Sequence, residues 1–158
     1  MIWGLSGAPC DPSKPYADAI EAAAEYTGFP PKWLYAIAWQ ETIVLQVAGV
    51  WNAATIVSGD GGHGLFQLTS SYPVNWQDPY TNAVYAVEGD PMFLRGAAKY
   101  WFGRGYRGRE LVKLASATFN AGLKNVLAGH ADGDADEWDT NKYGQRIVNS
   151  LDAIGFFA

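Results

Sequence analysis

Between residues 34 and 45, apolar side chains recur at helical spacing: Leu34, Ile37, Ala38 and Leu45 share one stripe. Pro30-Pro31 precede this stripe, where a first helical turn tolerates proline, so the pattern predicts a helix opening there. Upstream, Ser13 before Lys14-Pro15 is a helix-start signal, and Gly28 after Tyr26-Thr27 is a stop. From Gly49 to Thr69 the helical spacing vanishes, and Gly59, Gly61, Gly62 and Gly64 call for a loop or a short hairpin. Helical patterning returns at Asp78-Pro79, restarts at Asp90-Pro91 and runs to about Trp101, where Gly103, Gly105 and Gly108 break it. Arg109 to about Phe119 places Leu111, Leu114, Ala115 and Thr118 on one face, and a shorter helix follows Gly122 through Leu127. The acidic stretch at residues 131–137 reads as a loop, after which Asp139 or Thr140 caps a last helix to about Ala153. Neither an internal repeat nor a linker interrupts the chain. The expectation is a mainly α fold, a single domain over residues 1–158, with a Gly-rich loop or short β-hairpin insert near residues 49–69.

One residue breaks the apolar stripe. Glu41 falls four positions after Ile37 and four before Leu45, on the same face. A carboxylate aimed at a core costs several kcal/mol unless it is paired or protonated. Desolvation raises a carboxyl pKa, and an acid still protonated near neutrality is what general acid catalysis requires. The competing reading is a core-edge Glu bonded to backbone or to an arginine.

Composition narrows the partners. The 158 residues are 49% hydrophobic, enough to bury a core and too apolar for a disordered chain. The aromatic fraction of 15% supplies ring faces for packing and for stacking on sugars or bases. A formal net charge of −5 argues against nucleic acid, which demands a basic footprint. No stretch reaches the 18 apolar residues of a spanning helix, so membrane insertion is not expected. Met1-Ile2-Trp3-Gly4 lacks the basic and apolar regions of a signal peptide. Cys10 is the only cysteine, which rules out an intramolecular disulfide.

Other chemistries lack their signatures. His63 and His130 are isolated from each other and from further metal ligands. Asp132, Asp134 and Asp136 imitate the start of a calcium loop, but Glu137 stands where Gly is needed and Tyr143 where the closing Glu should be. Neither a metal nor a cofactor is expected. The run from Gly59 to Thr69 lacks both the Lys-Ser/Thr ending of a P-loop and G-x-G-x-x-G spacing. Its glycines suit close approach of backbone to a bulky ligand, with the Gln67 amide offered to hydroxyl or N-acetyl groups; a tight surface hairpin explains the same residues. No nucleophile-elbow signature supports Ser-His-Asp catalysis.

Four segments taken in order form a set: Gln40-Glu41-Thr42, Gly64-Leu65-Phe66-Gln67-Leu68, Ala117-Thr118-Phe119-Asn120-Ala121-Gly122 and Asp139-Thr140-Asn141-Lys142-Tyr143. The set resembles the soluble lytic transglycosylase and goose-type lysozyme superfamily, in which a catalytic Glu-Ser is followed by G-L-M-Q, A-Y-N-A-G and a late Tyr. Asp78-Pro79 with Asn82, and Gly96-Ala97-Ala98-Lys99-Tyr100, resemble further family stretches, so the likeness runs over about residues 30 to 150. It implies a lysozyme-like fold that cleaves the β-1,4 bond between N-acetylmuramic acid and N-acetylglucosamine in peptidoglycan. By that resemblance Glu41 is the acid/base, Thr42 and the stretch Gly64, Leu65, Phe66 and Gln67 line the sugar cleft, Asn120 contacts substrate, and Tyr143 positions Glu41. Thr42 replaces the family Ser, Phe66 its Met and Phe119 its Tyr, and the spacing from Val84 to Pro91 is longer than usual.

Two chemistries share this machinery. In transglycosylases the muramoyl 6-hydroxyl attacks internally, and one Glu suffices. In goose-type lysozymes an Asp ahead of G-L-M-Q helps to activate water, and Asp60 stands nearly in that place, two residues closer to the motif. The family's second Asp is matched by Thr69. The sequence favours the transglycosylase, with the muramidase using Asp60 as alternative, and a non-catalytic glycan-binding domain or generic helical interaction module as readings of another class. A monomer acting on glycan strands, resembling a phage endolysin made in the host cytoplasm or a virion-associated wall-penetrating enzyme, is the expected setting.

Overall fold

The apolar stripe is wider than its periodicity predicts. In the computed structural model, which describes residues 15–49, 52–131 and 142–157, every side chain from Trp33 to Leu45 is buried. A helix enclosed on all sides has no solvent face, and its polar side chains Gln40, Glu41 and Thr42 are buried with the rest.

The described residues form a mainly helical fold. In chain order the elements are α1 (Ala17–Thr27), α2 (Pro31–Ala38), a π-helical turn (Trp39–Ile43), α3 (Val44–Val47), α4 (Pro79–Glu88), α5 (Leu94–Gly103), α6 (Gly108–Ala121), α7 (Leu123–Ala131) and α8 (Tyr143–Ala153). The central helix α2 packs against α1 and α8; α6 packs against α5, α7 and α8; α4 bridges α1 and α5. Two buried tryptophans carry their indole N–H groups into this core, and both are satisfied. Trp33 Nε1 donates to Ser116 Oγ at 3.0 Å, and Trp101 Nε1 donates to Thr118 Oγ1 at 2.9 Å.

The helix ends follow local chemistry. Gly28 closes α1 in the left-handed region at φ 72°. Pro31 occupies the first turn of α2, and Pro79 that of α4, where the Asp78 carboxylate accepts the Thr81 N–H at 2.9 Å. At Asp90-Pro91 the outcome differs from the sequence expectation. The Asp90 carboxylate accepts the Met92 N–H at 3.0 Å and its carbonyl accepts Phe93 N–H at 3.1 Å, so it closes a turn, and α5 begins only at Leu94. Gly96 lets this turn fold back onto the helix, since a Cβ there would stand 1.6 Å from the Pro91 carbonyl oxygen.

Helix α7 runs on to Ala131, past the expected end at Leu127. The Gly-rich insert takes the loop alternative: only isolated bridges, Val57 to His63 and His63 to Leu68, are formed, and no strand is present among the described residues. Cys10, the start signal at Ser13, the acidic loop, and the caps at Asp139 and Thr140 lie outside the described residues. No described helix is long and apolar enough to cross a membrane.

Candidate active site

Glu41 sits on the π-helical turn, where the helix widens by one residue per turn. It is 2% exposed. Tyr143, the first residue of α8 and itself fully buried, donates its hydroxyl to Glu41 Oε1 at 2.7 Å. Glu41 Oε2 is also buried and has no hydrogen-bond partner among the described residues. One oxygen is therefore fixed by the protein, and the other is enclosed without a partner among the described residues.

A cleft opens beside this carboxyl. Its wall brings Glu41, Asp60, Gln67 and Asn120 together with Leu68, Thr69, Phe93 and Phe119. The rings of Phe93 and Phe119 meet edge to face at 5.5 Å and form an apolar side of the cleft. The insert and the central helix thus converge with α6 and α8, elements more than a hundred residues apart in the case of Glu41 and Tyr143.

Thr42, Gly64, Leu65 and Phe66, expected to touch substrate, do not line the cleft; all are buried, and their polar groups are spent on each other's support. Thr42 Oγ1 donates to the Leu65 carbonyl at 2.7 Å, tying the helix of Glu41 to the insert. Gly64 O accepts both the Gln67 backbone N–H and its side-chain Nε2 at 3.0 Å, closing a tight turn. Gln67 pays for that turn with a left-handed φ of 51°, a conformation costing a non-glycine residue about 1 kcal/mol. Of the G-L-F-Q stretch, only Gln67 reaches the cleft wall.

The insert hangs on a residue of α4. Asn82, fully buried, accepts the Phe66 N–H at 2.9 Å and donates to the carbonyls of His63 at 3.1 Å and Trp76 at 2.9 Å. Gly64 at φ 69° passes so close to it that a Cβ would lie 2.7 Å from Asn82 Nδ2. His63 is a structural member of the same unit: its ring stacks on Tyr72 at 3.8 Å and its Nδ1 lies 3.2 Å from Leu68 O. Among the described residues no group of three His, Cys, Asp or Glu side chains is placed to hold a metal ion. The side chain of His130 lies outside the described residues.

The two cleft carboxyls are driven apart in acidity. Burial pushes Glu41 up to about 8; the Tyr143 hydrogen bond pulls it down and the charge of Asp60 pushes it up, both less strongly. Asp60 is held below its usual range, first by the Ser58 hydroxyl and then, against a smaller desolvation effect, by the Gly62 N–H. At neutral pH the cleft holds a neutral carboxylic acid beside an ionised carboxylate. Such an acid can protonate a leaving-group oxygen that enters the cleft.

Phe93 had no signal in the sequence, because it belongs to none of the motifs; Leu68 closes the G-L-F-Q-L stretch, but nothing in the sequence marked it as part of the cleft wall. Asn82 was legible as part of a motif, but its part in holding the insert was not. Comparisons with protein-family models, with curated proteins and with solved structures found no match.

Proposed function

We propose that this protein is a peptidoglycan-cleaving lytic transglycosylase with a lysozyme-like fold, and that Glu41 is its acid/base. The observation that carries this reading is the placement of Glu41: buried on the wall of a cleft, held through one oxygen by Tyr143, with burial pushing its pKa up to about 8. In the first step Glu41 gives its proton to the oxygen of the β-1,4 bond, and the bond from that oxygen to the muramoyl C1 breaks. The Glu41 carboxylate then takes the proton of the muramoyl 6-hydroxyl as that oxygen bonds to C1. The product is a 1,6-anhydromuramoyl end, and Glu41 is reprotonated without water. Gln67 and Asn120, the amides on the cleft wall, bind the sugar substituents, and the Phe93 and Phe119 rings exclude water from C1.

The second reading, a muramidase, is favoured by one observation: Asp60 lines the same cleft and is ionised. A carboxylate in that state can activate water on the opposite face of the sugar. Against it, Asp60 Oδ1 already accepts the Ser58 hydroxyl and the Gly62 N–H, which is the ordinary work of an Asp before glycines in a turn.

Incubation with cell-wall sacculi and mass spectrometry of the released muropeptides separates the readings. Products lighter by one water than the hydrolytic ones establish the transglycosylase. Reducing ends establish the muramidase, and retention on sacculi without turnover leaves a glycan-binding domain. The setting that fits is a monomeric phage endolysin or virion-associated enzyme acting on the wall.

A further inference from the structure

Beyond the catalytic cleft lies a second cavity that shares Thr69, Phe93, Phe119 and Asn120 with it. It reaches past Ser70 and Met92 to Asp90, the only charged side chain on its wall among the described residues. Among the described residues the two cavities together present Glu41, Asp60 and Asp90 and no Lys, Arg or His. A ligand extending from the Glu41 end therefore passes one ionised carboxylate, Asp60, beside the neutral Glu41, and at the far end it meets a single fixed carboxylate. Asp90 is held in place from its own turn, because Oδ1 accepts the Met92 N–H at 3.0 Å and Gly96 lets Pro91 press onto α5. The turn belongs to the stretch whose length departs from the resembling family, so its carboxylate is a property of this chain.

We propose that the Asp90 cavity is a binding subsite for a primary ammonium group carried on the peptide stem of the glycan strand. The inference rests on the glycan-strand reading above and specifies which strands are preferred. Apolar Phe93 and Met92 receive the methylene chain that bears the amine, and Asp90 accepts its charged hydrogen bond. An uncharged stem amine loses this contact, while cleavage at Glu41 proceeds by the same chemistry.

The test compares native sacculi with sacculi whose stem amines have been acetylated, which removes the charge and leaves the glycan unaltered. Wild-type protein is expected to lose about fivefold in kcat/KM on acetylation, the scale of a partly exposed ion pair. Asp90→Asn keeps an oxygen for the Met92 N–H and so preserves the turn. It should show the same loss on native sacculi and no further loss on acetylated ones. Equal wild-type rates on both substrates overturn the proposal, as does an Asp90→Asn variant that still discriminates between them. Absence of wild-type turnover on either substrate overturns the glycan-cleaving reading itself, a separate result.

Discussion

Tyr143 and Glu41 are 102 residues apart in the chain, yet the hydroxyl of one donates to the carboxyl of the other at 2.7 Å with both side chains buried. Removing the hydroxyl by Tyr143→Phe takes away an interaction that lowers the Glu41 pKa. The falling limb of the activity profile should then shift to higher pH, and stability should fall by about 1–3 kcal/mol from the unpaired oxygen. A pH–kcat/KM profile beside urea melts checks both; an unmoved limb would place the essential ionisation elsewhere.

Glu41→Gln should reduce muropeptide release by about 100-fold to 10,000-fold while the fold persists. Sacculus digestion normalised to folded protein measures the loss.

The same substitution should change how stability depends on pH. The folded pKa of Glu41 stands near 8, above the ordinary value of 4.5, so the folded state holds a proton that the unfolded chain has released. Its contribution is fully present below about 4.5 and is lost as pH rises through about 8, because the unfolded state binds fewer protons across that window. Thermal melts of the wild type should decline between those values, and Glu41→Gln should flatten the decline. Parallel curves for the two proteins would show that Glu41 titrates normally.

Asn82→Ala should destabilise the protein by about 2 kcal/mol or more, since it leaves the buried Phe66 N–H and the Trp76 carbonyl without their partner, while the His63 carbonyl keeps the Leu68 N–H. Substrate affinity should fall with it, because Gln67 is placed by the turn that Asn82 holds. Urea denaturation and KM give the two numbers. A stable variant with unchanged KM would mean that the insert is held by other contacts.

Asp60→Asn distinguishes the two chemistries from another side. Under the transglycosylase reading the anhydro product persists and the rate stays within about tenfold. Loss of activity on the scale of Glu41→Gln would instead make Asp60 part of the reaction.

Local rules made some of these relationships readable in advance. Glu41 announced itself because a carboxylate at helical spacing among Ile37, Ala38 and Leu45 is out of place. The helix start at Asp78-Pro79 was legible for the same reason, since an N-cap and a first-turn proline are neighbours in sequence. The Asp90-Pro91 pair carries the same letters, but there the carboxylate turned to Met92 N–H and delayed the helix to Leu94. The π-helical turn could not be read, because Leu34, Ile37, Ala38 and Leu45 keep ordinary helical spacing while everything between them is buried too, so no exposed face registers the extra residue. The resemblance implies a ligand surface at Thr42, Gly64, Leu65 and Phe66, whereas the structure buries all four away from the cleft wall. Which side of the chain faces the cleft was decided by Asn82, and that is a tertiary fact.

The suspension of the Gly-rich insert from Asn82 also has a consequence in time. The amides of His63, Gly64 and Leu68 bond to backbone carbonyls within the insert, whereas that of Phe66 is released only when the Asn82 side chain lets go. The Phe66 N–H, whose acceptor is Asn82 Oδ1 and not a neighbouring strand, is then a clock for the cleft. Its hydrogen exchange reports the rate at which the wall carrying Gln67 comes apart, independently of whether the helices around Glu41 have moved.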